Sequence, residues 1–192
     1  MNEPLHPFRW LPPRHRKVAF LLALGGTLVV MCALGILGRG LKVSSAPFGI
    51  LSFEFAGDLA TAVRILDCWG ESGRMLAAFH LGLDYLFLVL YASFIALGCA
   101  LAVAHLPPGR GVLITLGVWL SWGQLFAALL DAVENSALFT LLLGIHHDQL
   151  ARVAWWCAAG KFALVGGGLL FLLLVSGLAI IVRVRKPKGD AA

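Results

Sequence analysis

The chain has no CxxC pair, no HxxxH pair and only four cysteines in 192 residues, and each lack removes a chemistry. Dithiol–disulfide exchange typically runs on two thiols within one helical turn, so redox catalysis of that kind is disfavoured. A transition-metal centre needs several imidazole, thiolate or carboxylate ligands at set spacings. The adjacent His146, His147 and Asp148 and the i,i+4 pair His80 and Asp84 are the nearest approach to one, and neither makes a full ligand set, so no metal and no cofactor is expected. The glycines at 166, 167 and 168 lack the preceding strand and the Lys-Ser/Thr that a phosphate loop needs. Charge is scarce as well: 13% of residues are charged and ten are acidic, too little polar surface for a water-soluble domain of this length.

What fills the chain is apolar sequence. Hydrophobic residues make up 60%, the mean hydropathy is +0.89, and four long runs occupy 18–38, 81–104, 111–130 and 162–182. Each approaches the ~20 residues a helix needs to cross a ~30 Å hydrocarbon core. The runs do not alternate polar with apolar, which excludes a membrane β-barrel and leaves helices whose backbone bonds close within each segment. The expected fold is all-α, a four-helix transmembrane bundle over residues 18–182, with helices at 18–38, 81–104, 111–143 and 155–182. Basic tails occupy 1–17 and 183–192. The first run is about twice the length of a signal-peptide core, and Arg39 and Lys42 precede the small residues Ser44, Ser45 and Ala46, so an uncleaved helix is expected.

Between the first two runs, 40–80 is the one connection large enough for structure of its own. Asp58 suits an N-cap, Leu59, Ala62, Val63, Leu66 and Trp69 recur at helical spacing, and Gly70 ends the pattern. A short amphipathic helix on the outer membrane surface is expected, with Trp69 at the interface. Helices two and three, joined by a short Pro-Gly turn at 105–110, must be antiparallel neighbours. Trp119 and Trp122 fall too deep for an interfacial belt and are expected in the bundle core. Cys68 and Cys157 share one side and can pair there in an oxidising compartment.

The charges are distributed unevenly. With both termini on one side, that side holds nine of the 15 Lys and Arg (9, 14, 16, 17, 110, 183, 185, 186 and 188) against Glu3 and Asp190, whereas the other holds six against eight acids. This positive-inside bias predicts cytoplasmic termini in a bacterial inner (plasma) membrane. The basic tails are then topology signals and contacts for anionic lipid headgroups, and no nucleic-acid partner is expected.

Depth counting locates the polar groups. Starting from Lys17, His105, Arg110 and Arg183, a further 22, 21, 21 and 22 residues reach Arg39, Asp84, Asp131 and Lys161. At 1.5 Å per residue that is ~32 Å, one hydrocarbon thickness, so two acids and two bases share the outer layer. Glu134 and Asn135 lie one turn beyond Asp131, and His80 one turn before Asp84. Ser121, Gln124, Asp131 and Asn135 stay near one face of helix three, and Asp84 and Tyr91 share a face of helix two, turned inward because lipid cannot satisfy them. The candidate ligand-binding residues are therefore Asp84, Tyr91, Gln124, Asp131, Glu134, Asn135 and Lys161, with Glu54 and His80 folded over from the cap. Lys161 is the expected counter-ion of Asp84 or Asp131.

The segments Ser52-Phe53-Glu54-Phe55-Ala56-Gly57, Trp69-Gly70, Leu83-Asp84-Tyr85-Leu86-Phe87, Asp131-Ala132-Val133-Glu134-Asn135 and Lys161-Phe162 resemble a pattern in a family of small bacterial four-pass membrane proteins. That resemblance implies the topology and no reaction. The residues favour an accessory protein, or a binder of lipid or another small molecule, whose partners are membrane lipids and another membrane subunit or a second copy. The alternative is a membrane enzyme on a lipid-like substrate, with Asp131 or Glu134 as general base and Lys161 stabilising charge. Transport is disfavoured, because the cytoplasmic halves of helices two and four offer almost no polar lining.

Overall fold

The computed structural model of the protein describes residues 5–106, 109–145 and 147–185, with side chains as far as residue 178. His146, Lys186 and Lys188, which entered the metal and charge arguments, lie outside these residues. Helix α1 spans Pro13–Leu37, starting at a proline whose fixed φ suits a first helical position, and it tightens into a 3₁₀ turn over Gly38–Leu41. A five-residue helix α2, Ile50–Glu54, follows. Then come α3, Leu59–Ala104, α4, Gly111–Leu142, and α5, Asp148–Arg185. Four helices, α1 with its 3₁₀ turn, α3, α4 and α5, are long and apolar enough to cross a membrane. No strand occurs among the described residues, only an isolated bridge between Val43 and Ala46.

Helix ends depart from those expected. The helix expected from 81 runs back without a loop, across a kink at Gly70, into the expected helix that Asp58 caps at Leu59, and α5 begins at Asp148 instead of 155. Hydrocarbon thickness limits the apolar run and not the helix, which continues into polar surroundings wherever its end is capped. Asp58 caps α3 by accepting from the Thr61 N–H at 2.8 Å, a bond that holds its carboxyl below the ordinary range. Asp148 accepts from the Leu59 N–H at 3.3 Å and pairs with Arg152, so the starts of α3 and α5 are tied together. The segment before Gly70 thus becomes a first arm of α3. At Gly70 the backbone turns to φ +60° and ψ −164°, a conformation that a side chain would strain.

α3 is the central helix. It packs against α1, α4 and α5, and α4 packs along α5, whereas α1 rests mainly on α3. Two apolar cores result. The outer one joins the loop after α1, α2 and the first arm of α3 to the ends of α4 and α5 through Leu41, Phe53, Leu66, Trp69, Leu138 and Leu141. The inner one joins α3 to α5 through Leu88, Ile95, Val103, Phe171 and Val175. Trp69 is a core residue and not an interfacial one: it is 7% exposed, its indole N–H donates to the Leu41 carbonyl at 2.8 Å, and Phe53 meets it edge-on. Trp119 and Trp122 overturn the opposite expectation. They are 72% and 49% exposed, on the outward side of α4, because the inward face is already taken by Ser121, Gln124 and Asp131. There the Trp122 indole N–H donates to the Leu5 carbonyl at 2.9 Å. All four cysteines are free, Cys68 exposed and Cys157 buried, so no disulfide joins them.

Gly168 lets α5 pack tightly against α3 and α4. A Cβ there would stand 2.6 Å from Gln124 Nε2 and 2.7 Å from Ile95 Cγ2. The Gln124 amide is already committed, donating to the Leu164 carbonyl at 2.8 Å, so it cannot yield without losing that bond. Gly168→Ala is expected to cost about 1–3 kcal/mol, read as a lower unfolding midpoint in detergent. An unchanged or higher midpoint would show that the helices separate freely at this point.

Candidate functional site

The polar residues fall between the two apolar cores, and each is placed there by a different element. α4 presents Asp131, Glu134 and Asn135 on one inward stripe, 2%, 0% and 1% exposed. α5 brings Lys161, and α2 folds Glu54 over the top. Lys161 Nζ donates to Asp131 Oδ1 at 2.7 Å, lies 2.9 Å from Glu134 Oε2 and stands 3.6 Å from Glu54 Oε2. The approach to Glu134 is an ion pair by distance but lies off the line of a hydrogen bond, so both Glu134 oxygens lack an aligned donor. Asp131 Oδ2 accepts from the Tyr91 hydroxyl at 2.9 Å. One ammonium therefore serves three carboxyl groups from two other elements.

Asp84 sits beside this cluster and makes a different bond, accepting from Asn135 Nδ2 at 2.7 Å. Between the two expected partners of Lys161, the pairing is with Asp131, joined by Glu134 and Glu54. Burial pushes the Glu54 carboxyl above its ordinary value of 4.5, with the nearby Lys161 opposing. His80, on the long arm of α3, turns toward the Leu34–Gly38 end of α1. Its Nε2 faces α1 near Gly38, and its Nδ1 has no partner. Gln124 is not brought to the cluster. It lies two turns nearer the other end of α4 and clamps α5 through Leu164. Arg39 also stays away, exposed on the 3₁₀ turn.

A cavity of about 760 Å³ opens onto this cluster. Its polar end is made by Glu54, His80, Asp84, Tyr91, Asp131 and Lys161, with Lys42 at the rim. From there it runs between α1 and α5 as a trough walled by Leu24, Leu28, Met31, Phe87, Val165 and Leu169. The trough is a wedge. At its narrow end Phe20 of α1 and Leu172 of α5 both close on Gly98 of α3, within 3.2 Å and 3.0 Å of where a Cβ would stand. Away from that point α1 does not close on α5, and the wedge stays open sideways. Sequence reasoning placed the charged groups but missed the trough. Its walls are ordinary aliphatic residues, and the gap depends on how far α1 stands from α5, which no spacing along one helix encodes.

Among the described residues, no group of three or more His, Cys, Asp or Glu side chains could hold a metal ion. The carboxylates are drawn to Lys161, which occupies the place a cation would take. Chemically, the arrangement offers an apolar slot beside a buried, acid-rich hydrogen-bonding end. Comparison with protein-family models, with characterised proteins and with solved structures found no match, so the reading of the site rests on its own geometry.

Proposed function

We propose that the protein is a multi-pass membrane protein that holds one amphiphilic, lipid-like molecule, with its chain in the trough between α1 and α5 and its head against the Lys161 cluster. The observation that carries this is the continuity of the cavity: a single space of about 760 Å³ touches both the aliphatic wedge and the buried ions, within the ~300–1,000 Å³ usual for ligand pockets. An apolar chain in a bilayer reaches a sideways-open cleft without crossing water. The uneven charge distribution supports an orientation with both termini in the cytoplasm of a bacterial inner membrane. The acid-rich end then faces the outer leaflet, with α2 and the first arm of α3 as a cap at that surface.

Binding is favoured over catalysis because the candidate bases are occupied. Asp131 is held by both Lys161 and Tyr91, and using it as a base would first require breaking a buried pair. Conduction is disfavoured by the closure of the wedge at Gly98, which leaves no polar path toward the opposite side.

Gly35 provides the test. It lines the trough, and a Cβ added there meets nothing within 4 Å, so Gly35→Phe should fill the slot without disturbing the helices. Native mass spectrometry of gently solubilised protein is expected to show one retained adduct of lipid-like mass on the wild type and its loss in Gly35→Phe. Equal retention by both proteins, or a bare wild type, would sink the proposal.

A further inference from the structure

Resting on the amphiphile reading just given, the geometry points to the chemistry of the head: a hydrogen-bond-donating cation, that is, a primary amine on an aliphatic chain, and not a phosphate. The argument is an accounting of donors and acceptors at the polar end of the cavity. Every donor there is committed. Lys161 serves Asp131, Glu134 and Glu54, the Tyr91 hydroxyl goes to Asp131, and the Asn135 amide goes to Asp84.

Acceptors remain unused. His80 is 7% exposed and lines the cavity. Its Nε2 side faces the Leu34–Gly38 end of α1 and its Nδ1 has no partner, so the tautomer protonated on Nε2 leaves Nδ1 as an open acceptor. Glu54 Oε2 has no aligned donor, and only Oδ2 of Asp84 is engaged among the described residues. A buried acceptor without a donor costs free energy, and two of them, Glu54 Oε2 on α2 and His80 Nδ1 on α3, face the same space as the half-buried Asp84 carboxyl. An ammonium head can donate to all three at once.

Charge points the same way. Four carboxyl groups (Glu54, Asp84, Asp131 and Glu134) gather around one buried ammonium. A phosphate placed there would face carboxylates with no free donor to receive it, and Lys42 stands only at the rim. A neutral alcohol would satisfy one acceptor and leave the charge surplus untouched.

The experiment is a competition in a non-ionic detergent, with dodecylamine, dodecanol and dodecyl phosphate at equal concentration and bound species counted by native mass spectrometry. The amine is expected to occupy the protein at least tenfold more than either competitor, and to lose most of that preference in Asp84→Asn, which keeps the shape of the side chain and removes its charge. Gly35→Phe should exclude all three. Equal occupancy by the three probes, or preference for the phosphate, would overturn the headgroup assignment while leaving the amphiphile reading in place. An amine preference that survives in Asp84→Asn and Glu54→Gln alike would also overturn it, since the acceptors would not be its source. Binding of none, or binding unaffected by Gly35→Phe, would bring down both.

Discussion

Replacing Lys161 with Met is expected to destabilise the folded bundle by about 3–5 kcal/mol, the usual loss when one partner of a buried ion pair is removed and the other is left behind. Here the partners left behind are three. Asp131, Glu134 and Glu54 are 2%, 0% and 7% exposed, and the methionine offers none of them a donor. The direct measurement is the midpoint of unfolding in detergent, followed by loss of helical signal. A triple variant, Lys161→Met with Asp131→Leu and Glu134→Leu, should regain a good part of the loss, because well-packed apolar groups in place of a buried ion cluster are often neutral or better. A double-mutant cycle on Lys161 and Asp131 should give a coupling well beyond the few tenths of a kcal/mol seen for independent sites. Strict additivity would mean that the two side chains do not share their proton or charge, despite the 2.7 Å between them.

The second expected result is all-or-none. Cys68 lies exposed on the first arm of α3, beside the cap. In intact cells it should react with a charged, membrane-impermeant maleimide, and Cys68→Ser should abolish the reaction. Arg110 sits in the turn between α3 and α4, at the opposite end of the bundle. Arg110→Cys, in a chain whose four native cysteines are replaced, should stay unlabelled until the membrane is opened. Labelling at 110 without labelling at 68 would invert the orientation and turn the acid-rich end toward the cytoplasm. Labelling at both would contradict a membrane-spanning arrangement altogether.

The long apolar helices were legible because hydrocarbon thickness sets a length that a sequence must meet in consecutive residues. The start of α5 was not, because Asp148 works through Leu59, far along the chain, whereas the cap at Asp58 works through Thr61, three residues on, and could be read locally. The charged layer was legible for a related reason. A fixed rise per residue converts numbering into depth, which put Asp84, Asp131 and Lys161 at one level before any contact was known. Depth says nothing about azimuth between helices. So Asp84, at the right height, turned to Asn135 instead of Lys161, and Gln124, on the right face, became a clamp on Leu164. Trp119 and Trp122 failed for the same cause, since position along α4 does not fix the direction in which a side chain points.

The position of Lys161 in the chain has a consequence for biosynthesis. The carboxyl groups it serves are made first, Glu54 on α2 and Asp131 and Glu134 on α4, and the one ammonium that answers them arrives with α5, the last of the four long helices to leave the ribosome. Until then the acids of α4 must remain at the translocon or keep their protons, because an uncompensated carboxylate is costly in lipid. The trough is incomplete over the same interval, since α5 forms one of its walls. Synthesis of α5 therefore supplies the ammonium of the cluster and completes the cavity in one step.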